Sequence, residues 1–344
     1  MRNILLTLLL VPFITNAQVK YSADSKKLYN KALKAYETND EKRALELFNA
    51  CVSKEPRYAE AYLNISKINF SSKEYNLALL NAKKAYSNNK FQSNIYSQLG
   101  KCYYQTSSYD SAEFFIEKAI SMGATTSNEH LYLGNSQLKK ENYDAAIVNL
   151  STAISINDKI SSAYNSRGSV YFKQGEYEKA ESDFKKALEL TPNSSSIYSN
   201  LANIGLETSK TKEALDYINK GAEIATENEK VNFLILKGTY YHKMKDLEMA
   251  SDLFNKAYAI ETNNPVILVN QAALFLDQNK YESALDKCNQ ALAIQAEMME
   301  AYYNRGIANE LLRKVEEACS DWEQAFILGS EKAEEFLNSP TCNE

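Results

Sequence analysis

A column of nine alanines constrains this chain more than any other feature. Ala44, Ala78, Ala112, Ala146, Ala180 and Ala214 follow one another at intervals of 34 residues; one step of 36 leads to Ala250, and 34 again to Ala284 and Ala318. Twelve residues before each lies a second column of small residues: Ala32, Ser66, Gly100, Gly134, Gly168, Ala202, Gly238, Ala272 and Gly306. Seven residues after each lies a third: Cys51, Ala85, Ala119, Ala153, Ala187, Gly221, Ala257, Ala291 and Ala325. Small residues at facing positions let two helices approach closely, and larger ones would overpack the contact. A fixed period of this length describes a stack of like units, each touching only its neighbours.

The unit is clearest from Ala163 to Asn193. Tyr164, Gly168 and Tyr171 form one apolar stripe at helical spacing, and Tyr177, Ala180, Phe184, Ala187 and Leu190 form a second. Residues three and four apart share a helix face, so each stripe is a packing seam. Gly175 sits between them, where a helix ends and the chain turns, and Pro192 stops the second helix. Between the small columns run larger residues, among them Tyr62, Tyr96, His130 and Tyr164 in one and Phe48, Ile116, Phe184 and Trp322 in another. With 44% hydrophobic residues, only 10 Gly and 5 Pro, and no alternating strand pattern, the chain reads as all-α.

This pattern resembles the tetratricopeptide repeat (TPR) family, whose 34-residue unit carries aromatic, Leu-Gly, Tyr, Ala, aromatic, Ala and Pro at fixed offsets. Tyr164, Gly168, Tyr171, Ala180, Phe184, Ala187 and Pro192 match it; Leu-Gly occurs as Leu99-Gly100 and Leu133-Gly134, and the proline only as Pro56 and Pro192. The resemblance covers roughly residues 25–332. It implies an all-α, right-handed superhelical solenoid of about nine hairpins: 25–58, 59–92, 93–126, 127–160, 161–194, 195–230, 231–264, 265–298 and 299–332. A capping helix and tail follow over 333–344.

Residues 1–17 read as a secretory signal peptide. Arg2 supplies the positive start, Ile4 to Ile14 an apolar run too short to span a bilayer, and Thr15 and Ala17 the small residues before a cut at Gln18. The alternative is a retained N-terminal anchor. The expectation is an exported chain, periplasmic or secreted, with no membrane insertion of the mature protein. Residues 18–24 form a short lead-in, with Asp24 expected to cap the first helix. The turns within the hairpins take Asn39, Gly175 and Asn279 in three repeats, residues that tolerate left-handed backbone. Repeat six carries two extra residues, expected in the loop near Thr226 to Lys230, and has Gly205 and Gly221 in its helices; it should be the least stable repeat. Ser330 should cap a last helix, about Glu331 to Asn338, that Pro340 ends.

Formal charge is −5, and −6 without Arg2 (38 minus 44), with both signs interspersed, which argues against nucleic acid as a partner. His130 falls in a core column and His242 at a helix end; Asp and Glu read as outward solvated charge. No phosphate loop, G-x-S-x-G or H-E-x-x-H is present, so neither catalysis nor a cofactor or metal is expected. Cys51, Cys102 and Cys288 read as buried small hydrophobes, whereas Cys319 and Cys342 are placed to form a disulfide across the last repeat and its cap.

The resemblance further implies a concave groove lined by the first helices, with positions 2, 5, 9 and 12 of each unit facing it. Its candidate residues are Lys67, Phe70, Asn94, Lys101, Tyr104, Asn128, Asn135, Asn165 and Phe172, with Leu63 and Leu131 at two further positions. Amides, lysines and aromatics suit an extended peptide. The carboxylate clamp of TPR co-chaperones is not assembled by any three consecutive repeats. The function expected is a non-enzymatic scaffold for a protein or peptide; the alternative is a structural part of an envelope or secretion assembly, bound through its convex face or edges. Nothing in the sequence sets an oligomeric state.

Overall fold

The computed structural model describes residues 21–343; the expected signal peptide and residues 18–20 of the lead-in lie outside them. Among the described residues every regular element is a helix. By its contacts the chain forms two units, Met1–Asn149 and Leu150–Glu344.

Unit 1 contains the hairpins α1 (Ala23–Glu37) with α2 (Glu41–Lys54), α3 (Ala59–Ser71) with α4 (Tyr75–Asn88), and α5 (Ser93–Gln105) with α6 (Tyr109–Ser121); α7 (Ser127–Lys139) and the start of α8 (Tyr143–Ile156) follow. Each second helix also packs on the first helix of the next hairpin, and the first helices touch one another, α3 with α5 and α5 with α7. The second helices make no comparable contact with each other, so the first helices form the closer-packed side of the unit.

Unit 2 repeats the arrangement with α9 (Ser161–Lys173), α10 (Tyr177–Leu190), α11 (Ser195–Glu207), α12 (Thr211–Ile224), α13 (Glu227–Lys243), α14 (Leu247–Ile260), α15 (Pro265–Asp277), α16 (Tyr281–Ile294), α17 (Met299–Leu311) and α18 (Val315–Ile327). Two short helices, α19 (Glu331–Leu337) and α20 (Pro340–Asn343), complete it.

All nine alanines of the register column are fully buried. The glycines of the second column mark the tightest joints. A Cβ built on Gly168 would lie 2.8 Å from the Phe184 ring, and one on Gly306 2.4 Å from Nε1 of Trp322. At Gly100, Gly168, Gly238 and Gly306 the second helix thus presses a large residue, Ile116, Phe184, Phe254 or Trp322, onto the bare backbone of the first.

The turn within each hairpin shares one conformation. Asn39, Lys73, Ser107, Glu141, Gly175, Ser209, Lys245, Asn279 and Arg313 all have positive φ, from 58° to 75°. The bonds explain why. Asn39 N–H donates to Tyr36 C=O and Asp40 N–H to Ala35 C=O, at 3.0 and 2.9 Å, closing the helix end in a Schellman motif. The same pair recurs at Lys73, Ser107, Glu141, Gly175, Lys245, Asn279 and Arg313. The fold imposes left-handed backbone on lysine, serine, glutamate and arginine as well as on the asparagines and the glycine.

Three expectations need correction. Ser22, not Asp24, caps α1: its side chain accepts from Ser25 N–H at 3.2 Å, and Asp24 sits within the first turn. Pro340 does not terminate α19, which ends at Leu337; it opens α20, where a missing N–H is harmless. The two extra residues of repeat six do not lengthen a loop. The linker shrinks to Ala225 and Thr226, while α13 reaches 17 residues against 13 for α11, a gain of four less a loss of two. A capping box, Thr226 with Glu229, stabilises the added turn. At Gly221 the Phe233 ring packs against the helix, 2.3 Å from where a Cβ would stand.

The last repeat is sealed by its cap. Ser330 accepts from Ala333 N–H at 3.3 Å to start α19. Phe336 stacks on Trp322 with centroids 4.5 Å apart and meets Tyr303 edge-on at 5.8 Å. A disulfide joins Cys319 on α18 to Cys342 on α20.

Candidate functional site

The closer-packed face of unit 1 presents its side chains in rows, because equivalent residues of α3, α5 and α7 lie side by side. Lys67, Lys101 and Asn135 form one row; Phe70 and Tyr104 form another, one turn further along. Lys67 is exposed, and Phe70, Lys101, Tyr104 and Asn135 are half-buried. Asn94 and Asn128, near the helix starts, are exposed.

The expected row at position 5 does not face solvent. Leu63 and Leu131 are buried, and Ser97 is buried too, donating to the carboxylate of Glu129. Adjacent first helices approach closely enough to cover that position, which narrows the open face to positions 2, 9 and 12.

The position-12 aromatics are held by their own hairpins. Phe70 meets Tyr75 edge-on at 5.3 Å, and Tyr104 lies 5.8 Å from Tyr109 and 5.5 Å from Tyr132. In unit 2, Phe172 meets Tyr177 at 5.6 Å. A tyrosine at the start of the second helix thus buttresses each ring, which stays half-buried. Desolvation, with Tyr109 and Tyr132 close by, raises the Tyr104 phenol, which stays neutral. Asn165, also in unit 2, is half-buried and accepts from the Asn200 amide at 2.9 Å.

Sequence reasoning placed carboxylates outward and so missed three that point in. Glu129 is 4% exposed, accepts from the hydroxyls of Ser97 and Thr126, and pairs with Lys101 at 3.2 Å. Burial opposes its charge, but these hydroxyls and Lys101 outweigh that and hold the carboxyl below its usual range. Asp183 and Asp321 are buried and receive forked contacts from Arg167 and Arg305, sixteen residues earlier in each case. Each arginine also reaches the preceding hairpin, Arg167 to Ser151 at 3.0 Å and Arg305 to Asn289 at 2.8 Å. Arg and Asp recurring at one spacing in two repeats was the signal available. These pairs join neighbouring hairpins.

Each histidine contacts a neighbouring side chain. His130 Nδ1 lies 3.1 Å from the Asn149 amide oxygen, and His242 Nε2 lies 2.9 Å from Asp277, which Lys245 also contacts. Among the described residues no three His, Cys, Asp or Glu side chains group to hold a metal, and no helix is long and apolar enough to cross a membrane. Cys51, Cys102 and Cys288 are buried free thiols.

Tetratricopeptide-repeat profiles match residues 93–122, 161–194, 231–264 and 269–333. No curated protein matches the chain. Among solved structures, a chain of the APC/C hetero-tetramer Cut9-Hcn1 is similar at a TM-score of 0.61 and 16% identity over 83% of this chain, which spans 55% of its length. A tetratricopeptide repeat protein from Parabacteroides merdae ATCC 43184 is similar at 0.56 and 18%, over 74% of this chain and 100% of its own. The human IFIT1 dimer with PPP-AAAA is similar at 0.54 and 18%, over 85% and 69%. At such identities the likeness concerns the fold. The chain carries tetratricopeptide repeats and folds as a TPR solenoid.

Proposed function

We propose that this chain is a non-enzymatic scaffold that holds a protein or peptide segment along its first helices, after export. The observation that carries the reading is the pair of rows on α3, α5 and α7. Lys67, Lys101 and Asn135 offer donors, and Phe70 and Tyr104 offer ring faces fixed by Tyr75, Tyr109 and Tyr132. A rigid frame that presents donors and aromatic faces at a repeated spacing suits an extended chain, whose own groups recur along its length. Within unit 2, Phe172 and Tyr177 form the same kind of ring pair.

Export rests on residues 1–17, and the Cys319–Cys342 disulfide fits an oxidising compartment. Cell fractionation with N-terminal sequencing of the mature chain tests it: a start at Gln18 supports the leader, and a cytoplasmic chain starting at Met1 refutes it. Replacing Tyr104, Asn135 and Phe172 together by alanine should weaken partner capture while the far-ultraviolet circular dichroism spectrum is kept. Unchanged capture moves the site elsewhere.

One observation favours the second reading, a structural part of an envelope assembly. On the second helices of unit 1, Leu80, Phe114 and Val148 occupy one register and are 49%, 60% and 64% exposed. The same register holds Glu46 before them and Ser182, Asp216, Asp252, Asp286 and Ser320 after them. An apolar row confined to three consecutive repeats is a contact surface of the kind such an assembly uses. Replacing all three by serine separates the readings: loss of a stoichiometric envelope complex favours this one.

A further inference from the structure

We propose that Lys67 and Lys101 form an anion subsite that takes a carboxylate of an acidic peptide next to an apolar residue; the proposal deepens the groove reading and rests on it. The two lysines occupy the same position of neighbouring units, on helices that touch. Their ammonium groups therefore share one patch of surface.

The two are not equivalent. Lys101 is held in place: its ammonium lies 3.2 Å from Glu129 and over the Tyr132 ring at 5.8 Å from the centroid. Glu129 is itself buried and committed to the hydroxyls of Ser97 and Thr126, so it orients Lys101 from behind. Lys67 is exposed and has no ion-pair partner among the described residues. Desolvation first, and then repulsion by the neighbouring Lys101, lower its pKa. Glu60, the one acid of α3, lies two turns away and accepts from the Tyr21 hydroxyl and the Gln92 amide.

The local count is two lysines against Glu129, a surplus of one positive charge. A single carboxylate balances it. One turn beyond each lysine stand the half-buried rings of Phe70 and Tyr104, which would receive the apolar neighbour of the acid. The arrangement differs from the TPR carboxylate clamp, whose lysine position is filled here by the buried Leu63 and Ser97.

The test is fluorescence anisotropy on the purified chain with fluorescein-labelled nonapeptides carrying Glu-Phe, Gln-Phe, Glu-Ala or phosphoserine-Phe between Gly-Ser flanks. Glu-Phe should bind about tenfold more tightly than Gln-Phe, the scale of one charge-assisted hydrogen bond, and added salt should erase the difference. Lys67→Gln and Lys101→Gln should each remove the preference while weak Gln-Phe binding persists. Equal affinities for Glu-Phe and Gln-Phe, with Tyr104→Ala still weakening both, overturn the anion subsite and leave the groove standing. A preference for phosphoserine-Phe over Glu-Phe overturns the assignment to a carboxylate. Absence of binding by every peptide overturns the groove reading and the subsite together.

Discussion

Replacing Cys342 by serine should loosen the end of unit 2 selectively. The Cys319–Cys342 bond spans 23 residues. In the chain-entropy account a loop of that length removes about 11 cal/mol/K from the unfolded ensemble, or about 3 kcal/mol at 25 °C. The cap has little else to hold it. α19 has seven residues and α20 four, both too short to persist alone, and their purchase is Ala333, Phe336 and Leu337 against α17 and α18. Losing about 3 kcal/mol there shifts the local opening equilibrium by more than a hundredfold. The chain reports this itself. Trp322 is its one tryptophan, fully buried and stacked under Phe336. In a urea titration the tryptophan emission of Cys342→Ser should change at lower denaturant than in the parent. The circular dichroism transition, dominated by the other helices, should move far less, because coupling in a repeat stack passes only between neighbours. Coincident emission transitions in parent and variant would refute the reasoning, since they mean that packing alone fixes the cap.

Three further outcomes are expected. Arg313→Gly and Glu141→Gly, at φ of 63° and 60°, should each stabilise the chain by about 0.5–1 kcal/mol in chemical denaturation, because glycine relieves the left-handed strain at some entropic cost. Glu129→Gln should destabilise by about 2 kcal/mol at pH 7. The folded carboxyl titrates below its unfolded value, so its stabilisation is present above the unfolded pKa and is lost as pH falls through the folded one; the deficit of the variant should shrink in melts below about pH 4. Cys51, Cys102 and Cys288, whose thiols burial pushes up to about 11, 11 and 12, should resist iodoacetamide at pH 8 in the native chain and label at once in urea, as mass spectrometry would show.

The joints were legible in the sequence because tight helix contacts tolerate few residue types. Ala44 and its eight equivalents must be small, and the columns give the register directly. Backbone conformation was less legible. Asn279 and Gly175 announce a left-handed turn, but Lys73 and Arg313 adopt one only because the helices on either side fix where the chain must reverse. Charge placement was the least legible. Glu129 looks like any surface acid until Ser97 and Lys101 of α5 and Thr126 before α7 converge on it. The candidate site shares that limit: the rows of Lys67 and Phe70 followed from the period, while the covering of Leu63 followed only from how near α3 comes to α5.

The longer α13 has a consequence for anyone who shortens or recombines the chain. A block of 34 residues can be cut from one hairpin turn to the next, since Lys73 to Ser107 to Glu141 returns each cut end to the same turn conformation. Across Ala225 to Lys230 the phase differs, because Ser209 and Lys245 stand 36 apart. Removing 34 residues there would leave two extra, rotating the following helix by about 200° at 100° per residue. Val231, Ile235 and Gly238 would then turn outward and the polar flank inward. A viable excision through that hairpin must take 36.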